Sequence, residues 1–155
     1  TIRSLLTEAG VDSYAYVDEL SASACYGLAC IADEVIIHPE AQAGSIGAVI
    51  ALCDESKAEQ MAGIKPVYIT STPGKIPFAA DGSFKESFLN KLQEDVTKLG
   101  DKFVAHVSKY TGISTEDIKA MDAQMFDAET CLSNGLVNSI MTHEQFSSYI
   151  AGKYN

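Results

Sequence analysis

A run of small residues at positions 21–32 constrains the fold of this chain more than any other segment. Its sequence, SASACYGLACIA, suits a buried helix, because small side chains let neighbouring elements pack closely. An alternating segment rich in Val and Tyr precedes it at 11–20, and a short apolar segment follows at 34–38 and stops at Pro39. Both flanking segments are predicted to be strands, so the sequence indicates a strand–helix–strand unit.

The same alternation of strand and helix patterns continues along the chain. The predicted elements, in order, are a glycine-framed turn at 44–47 leading into an apolar stretch at 48–52, a helix at 56–62, a strand at 66–70, a loop at 71–82, a long amphipathic helix at 83–110, a short helix capped by Ser114 or Thr115, a segment at 126–136, and a last short strand after a Gly-Leu-Val turn. This pattern predicts an α/β fold with largely parallel pairing, in one domain.

The charge balance excludes some classes of partner. Of the 155 residues, 21 are acidic and 11 are basic, which gives a formal net charge of −10. No basic run is present, and nucleic acids and anionic membranes attract Lys and Arg patches, so we expect neither as a partner. No apolar run is long enough to cross a bilayer.

The four cysteines, Cys25, Cys30, Cys53 and Cys131, form no Cys-x-x-Cys pair. Metal sites and disulfide frameworks need tighter spacing, so we expect neither from these cysteines. No metal or organic cofactor is expected for the function that is inferred below. The mostly apolar surroundings predict free buried thiols, which favours a reducing compartment.

The first ten residues predict the closing turns of a helix. Apolar residues fall at helical spacing up to Ala9, and Gly10 is suited to end the helix. Because Thr1 is not an initiator Met and a helix is already under way, we expect this chain to be part of a longer protein.

Ser23 is the candidate nucleophile. It follows a predicted strand, opens the helix of small residues and lies between Ala22 and Ala24. A strand-to-helix turn can expose a serine hydroxyl and aim the next backbone N–H at an oxyanion. The same position also suits a helix N-cap or a packing serine, and the local sequence alone leaves both alternatives open.

A serine nucleophile needs a general base. His38, His106 and His143 lie at a strand end, in the long helix and in a polar C-terminal stretch, where we expect surface or packing roles. Lys75 lies in the loop after a predicted strand, within the sequence TPGKIPF. Apolar neighbours favour the neutral amine that can accept a proton, and Ser–Lys pairs are a known variant of the catalytic triad. A solvated loop lysine is the alternative.

The segment SASACYGLACIADEVIIHPEAQAGSIGAV resembles the core signature of the signal peptide peptidase A (protease IV) family, which includes the capsid-assembly proteases of tailed phages. The family pattern is a serine at the start of a small-residue helix, an apolar strand, a proline region and G-S-I-G. Its general-base lysine follows at the interval that separates Lys75 from Ser23. The likeness runs from about Val11 to Val137, and it implies the Clp protease/crotonase-like spiral of βαβ units.

The resemblance implies roles for four positions. Ser23 corresponds to the nucleophile, Lys75 to the general base, Ser45 to a serine that orients the lysine, and the Ala24 N–H to an oxyanion donor. The family's second donor comes from a Gly-Gly turn well upstream of the serine, which this sequence lacks. We therefore expect positions 1–155 to be a single peptidase-domain fragment without the N-terminal part of the fold. Cys25 stands where the family usually has a smaller residue, and its bulk could narrow the pocket.

Two branches of the family compete. The phage enzymes cleave scaffold and capsid precursors in the host cytoplasm, whereas the membrane-associated enzymes degrade cleaved leader peptides. The loop around Lys75 and the segment 107–114 are more similar to the phage branch, which implies a cytoplasmic location. Inner-membrane association through a missing N-terminal segment is the alternative. Either branch implies polypeptide substrates and a homo-oligomer.

Three other functions remain open. Clp-type proteases use a Ser-His-Asp triad, but Gly47 and Ala48 stand where their histidine lies. Crotonase-type acyl-CoA enzymes need two oxyanion amides and acidic catalytic residues, and would not require Ser23 and Lys75 in register. An inactive homologue that serves as an assembly subunit is the non-enzymatic alternative.

Overall fold

The computed structural model describes residues 2–154 and is an α/β chain with short strands and one long helix. The chain divides into two compact units. The first unit comprises residues 2–47 and 100–154, and the second comprises residues 48–99. The expectation of one domain for positions 1–155 stays a prediction.

The helices and strands follow the predicted alternation through most of the chain. In order they are α1 Ile2–Ala9, β1 Tyr14–Val17, β2 Leu20–Ala22, α2 Ala24–Ala29, β3 Glu34–Ile37, β4 Gln42–Gly44, α3 Ser56–Met61, a 3₁₀ turn Pro73–Lys75, α4 Glu86–Thr111, α5 Thr115–Ala120, β5 Met125–Asp127, α6 Ala128–Ser133, β6 Ser139–Ile140 and α7 His143–Tyr154.

The strands of the first unit form two three-stranded sheets. One has the order β1–β3–β6 and is parallel throughout. The other has the order β2–β4–β5, with β2 parallel and β5 antiparallel to β4. Three of the four pairings are thus parallel, which confirms the α/β class and the largely parallel pairing.

The core of the first unit lies between these strands and the helices that pack on them. Tyr26, from the small-residue helix α2, is fully buried, and its hydroxyl donates a 2.7 Å hydrogen bond to the Leu136 carbonyl. The other large, fully buried side chains come from the residue after α2, from β3 and from the C-terminal half of the chain: Cys30, Ile36, Ile37, Val107, Ile118, Cys131 and Leu136. The expectation of a buried helix over 21–32 is met only in part, because the helix spans Ala24–Ala29 and the first residues of the segment belong to β2. Tyr26 is its buried residue, whereas Ala24, Cys25 and Leu28 are exposed.

The long helix α4 begins three residues later than predicted and ends at Thr111. Of its apolar stripe, Val107 is fully buried, whereas Leu99 is 57% exposed. In the second unit, Phe84 stacks between Phe78 and Phe88. The three stacked rings thus connect the segment before the helix with its first turn.

One expectation about a strand and one about thiols are wrong. Residues 66–70 form no strand within the described range 2–154, and Val67 and Ile69 are 79% and 99% exposed. The stretch 48–52 is likewise exposed and irregular. In the described chain no partner strand supplies hydrogen bonds there, so apolar alternation alone does not produce a strand. Cys25 and Cys53 are exposed rather than buried.

The C-terminal helix α7 was absent from the sequence prediction. Its Tyr149 and Lys153 side chains both hydrogen-bond to the Glu34 carboxylate at the start of β3. Within residues 2–154, no helix combines the length and the apolar character needed to span a bilayer.

Candidate active site

Ser23 occupies the single residue between strand β2 and helix α2. Its backbone has φ 52° and ψ −121°, a conformation that residues with a side chain rarely adopt. Two hydrogen bonds hold it there: the Ser23 N–H donates to the Gly44 carbonyl at 2.9 Å, and the Ser23 carbonyl accepts from the Gly27 N–H at 3.0 Å. This is the sharp strand-to-helix turn predicted for a serine nucleophile.

The alternative role of Ser23 as an ordinary helix cap is not supported. Ser23 stands at the N-cap position of α2, but its side chain makes no capping hydrogen bond. Capping residues usually have extended backbone, and Ser23 does not. Ala24, the first residue of α2, has no acceptor for its N–H inside its own helix, so this donor can serve an oxyanion beside the Ser23 hydroxyl.

Ser45 lies at the corresponding end of the neighbouring strand. It follows β4, which pairs in parallel with β2 through Ala22 and Gly44. Its φ is 56°, and its N–H donates a 2.9 Å hydrogen bond to the Gln124 carbonyl just before β5. Because the carboxyl ends of parallel strands meet at one edge, the backbones of Ser23 and Ser45 lie at the same edge of this sheet.

The backbone strain of the described residues concentrates at this edge. Within residues 2–154, the non-glycine residues with positive φ are Ser23, Ser45, Asp122 and Ala123. The last two form the turn before β5, whose antiparallel pairing brings Met125 opposite Gly44. Strained residues cluster at functional sites when the surrounding structure holds them in place.

Helix α4 also supports the helix that follows Ser23. The His106 Nε2 atom lies 2.7 Å from the Gly27 carbonyl oxygen, and the His106 ring packs edge-on against Tyr110. A Cβ atom at Gly27 would lie 2.9 Å from the Phe103 ring. The packing role expected for His106 is confirmed, but its contact with the Gly27 carbonyl carries no signal in the sequence.

Burial sets the chemistry of the inner side chains of this region. Burial raises the pKa of the Cys30 thiol to about 11, and it is the largest cause of the raised pKa of the Tyr26 hydroxyl. Both groups stay protonated at neutral pH, so neither is suited to act as a base or nucleophile. Cys25 is exposed, and its Sγ accepts a 3.7 Å contact from the Ser21 hydroxyl.

Lys75 lies in the second unit, at the end of the 3₁₀ turn Pro73–Lys75 and within the predicted loop. Its side chain is exposed, so the apolar pocket expected around it is absent from the described residues 2–154. The Lys85 ammonium donates to the Pro73 carbonyl at 3.2 Å and to the Ile76 carbonyl at 2.8 Å, which clamps the turn on both sides of Lys75. The pairing of Lys75 with Ser23 stays a prediction.

Two further features bear on what the site could bind. A cavity of about 620 Å³ in the second unit lies between α3 and residues 78–82, and Lys75 is not among its lining residues. Within residues 2–154, no three His, Cys, Asp or Glu side chains are grouped to hold a metal ion.

Comparison with known protein families matches residues 6–152 to peptidase family S49. The chain belongs to this family. The match covers nearly all of the described residues, including both strained serines and Lys75. It confirms the resemblance to the signal peptide peptidase A family.

A curated relative of this S49 chain is the capsid assembly protease C of Escherichia phage lambda. The two are 23% identical over 128 residues, which covers 83% of this chain and 29% of the phage protein. The chain thus spans less than a third of that relative's length. At this identity the comparison supports the family.

Proposed function

We propose that this S49 chain carries the catalytic part of a serine endopeptidase, with Ser23 as nucleophile and Lys75 as general base. The observation that carries the proposal is the conformation of Ser23. A strained residue at a strand-to-helix turn, whose hydroxyl does not cap the helix, is better explained by a chemical task than by a structural one. Membership of a peptidase family supports the same reading.

The proposed reaction begins when the neutral Lys75 amine takes the proton of the Ser23 hydroxyl. The Ser23 Oγ attacks the carbonyl carbon of the scissile peptide bond, and the resulting oxyanion accepts a hydrogen bond from the Ala24 N–H. The lysine then returns the proton to the leaving amine, which breaks the C–N bond and leaves an acyl-enzyme. Water, deprotonated by the same lysine, hydrolyses the ester and restores the Ser23 hydroxyl.

Ser45 is proposed to orient the base. Its hydroxyl would accept a hydrogen bond from the Lys75 ammonium and donate one to the neutral amine, which fixes the direction of the lone pair. The fixed backbone of Ser45, bonded to the Gln124 carbonyl at 2.9 Å, gives that hydroxyl a defined position. We also propose that the two units belong to the Clp protease/crotonase-like spiral.

The proposed substrates are polypeptides. The relative named as a capsid assembly protease favours the processing of phage capsid precursors. Cleavage of scaffold precursors, a location in the host cytoplasm and a homo-oligomer are proposed because the family resemblance implies them. A signal peptide peptidase that degrades cleaved leader peptides is the second candidate, because that activity belongs to the same family. An inactive assembly subunit is the third, and the exposed position of Lys75 is the observation that favours it.

The test is peptide and precursor cleavage by the full-length protein and by Ser23→Ala and Lys75→Ala, measured from pH 6 to 10. Lys57→Ala is the matched control, because Lys57 is an exposed lysine of the same unit. We expect both site variants to lose at least a thousandfold in kcat and the control to keep its activity.

The outcomes separate the candidates. A wild-type rate that rises with alkaline pH and disappears in both variants supports the Ser–Lys mechanism. Activity retained in Lys75→Ala places the base elsewhere. Wild-type protein that cleaves neither capsid precursors nor leader peptides favours the assembly subunit.

A further inference from the structure

The turn between α5 and β5 has an unusual backbone. Asp122 and Ala123 are consecutive residues with φ 49° and 52°. Neighbouring residues with side chains rarely share the left-handed region, because the Cβ atom crowds the following carbonyl oxygen. Such a pair persists only where contacts from other elements hold it.

The turn fits against the segment that carries Ser45. The Gln124 carbonyl accepts the 2.9 Å hydrogen bond from the Ser45 N–H. A Cβ atom at Gly44 would overlap that same carbonyl oxygen, and a Cβ atom at Gly47 would lie 2.9 Å from the Ala123 Cβ. The turn therefore occupies the space that side chains at Gly44 and Gly47 would need.

A short backbone path connects this turn to the proposed nucleophile. The Gly44 carbonyl, next to the Ser45 amide, accepts the hydrogen bond from the Ser23 N–H at 2.9 Å. The turn, the Ser45 segment and the Ser23 turn are thus joined by two consecutive backbone hydrogen bonds. A displacement of Gln124 or Ala123 would therefore move the Ser45 backbone before it moved Ser23.

We propose that the Asp122–Ala123 turn is a positioning element that fixes Ser45 and, through Ser45, the general base. This inference rests on the proposed peptidase function and deepens it. Asp122 and Ala123 do not touch substrate in this proposal. They act through the contacts of Ala123 with Gly47 and of Gln124 with Ser45.

The test adds a methyl group at Gly47 and then removes the methyl group of Ala123 that it would meet. Gly47→Ala in the full-length protein forces the two Cβ atoms to within 2.9 Å, and Gly47→Ala combined with Ala123→Gly removes the conflict. Gly100→Ala is the matched control, because a Cβ at Gly100 meets nothing within 4 Å. Gly47 has no positive φ, so alanine is allowed there on backbone grounds.

We expect Gly47→Ala to lower kcat at least tenfold with KM changed less than twofold, and the double variant to recover to within about threefold of wild type. In a Ser45→Ala background, Gly47→Ala should lower kcat by less than twofold further, because the residue through which it acts is already disabled. A merely structural role would not produce this loss of additivity.

Hydrogen exchange of the Ser45 amide gives a readout that does not depend on activity. Gly47→Ala should speed exchange at this amide, and the double variant should restore its protection. If Ser23→Ala stays active, the proposed function fails, and the exchange measurement still tests the contact. A Gly47→Ala variant that folds only when Ala123→Gly is present supports the inference.

Three results would overturn this inference. They are an unchanged kcat in Gly47→Ala, a double variant that folds and turns over no better than Gly47→Ala, and a Gly47→Ala substitution that lowers kcat as much in the Ser45→Ala background as in wild type.

Discussion

Replacing Ser23 by glycine is expected to stabilise the fold and to abolish the proposed peptidase activity. Ser23 has φ 52° and ψ −121°, which glycine adopts freely and a residue with a Cβ adopts at a cost of roughly 1–3 kcal/mol. Glycine also gives the unfolded chain more freedom, which offsets roughly 0.5–1 kcal/mol of the gain. The free energy of unfolding should therefore rise by about 1 kcal/mol, and the thermal midpoint by about 2–4 °C.

Urea and thermal unfolding of wild type, Ser23→Gly and Ser23→Ala measure the stability change, and peptide cleavage by the same samples measures activity. Ser23→Ala is the matched control, because it removes the hydroxyl and keeps the Cβ. Its stability should stay near wild type, since the Ser23 side chain makes no capping hydrogen bond. A Ser23→Gly variant no more stable than Ser23→Ala would refute the claim that this conformation is strained.

Three other predictions follow from the surroundings of the site. Tyr26→Phe leaves a buried carbonyl without its donor and should lower the free energy of unfolding by about 1–3 kcal/mol, measured by urea denaturation; a loss below about 0.5 kcal/mol contradicts it. A hydrogen bond from Arg3 is the largest cause of the lowered pKa, about 2, of Asp33. Because this folded pKa lies below the unfolded value, the stabilisation is complete above about pH 4 and is lost as the pH falls towards 2. The urea midpoint should follow that course, and Arg3→Gln should flatten it. Thiol reagents should label Cys25 and Cys53 in the native protein and the other two cysteines only in denaturant; four rapid reactions by mass spectrometry would contradict the burial.

Local signals are sufficient where a helix boundary is fixed by its own residues. Gly10 has φ 64° after α1, and Gly63 has φ 69° after α3, as expected of glycines that end helices. The Ser114 hydroxyl accepts a hydrogen bond from the Asp117 N–H at the start of α5. Each boundary is decided within a few residues, so the sequence predicts it closely.

Elements that depend on distant partners are harder to predict. The alternating residues 66–70 lack a neighbouring strand in the described chain, and the sequence contains no sign of that. Helix α7 is held by the bonds of Tyr149 and Lys153 to Glu34, and by the stacking of Phe146 on Tyr16. Each of these contacts joins residues more than a hundred positions apart, so periodicity within α7 does not predict the contacts that hold the helix.

The candidate site also has some features that the local sequence predicts and others that depend on distant segments. The place of Ser23 between a strand and a helix is a local property and could be predicted. Its positive φ, and that of Ser45, could not, because serine has no preference for that region. Both conformations are held by hydrogen bonds that the Ser23 and Ser45 N–H groups donate to carbonyls of other segments, those of Gly44 and Gln124.

The distribution of strain argues for the function more directly than any single residue does. The four described non-glycine residues with positive φ lie at one edge of one sheet. Glycine would adopt each of these conformations with less strain, so selection for stability alone would favour glycine at each position. Ser23 and Ser45 keep hydroxyls there, which a proton transfer between serine and lysine would use. Ala123 keeps a methyl group, which packing against Gly47 would use. The proposed peptidase mechanism assigns a use to the Ser23 and Ser45 hydroxyls, whereas an acyl-CoA enzyme built on two backbone amides would leave both hydroxyls unexplained.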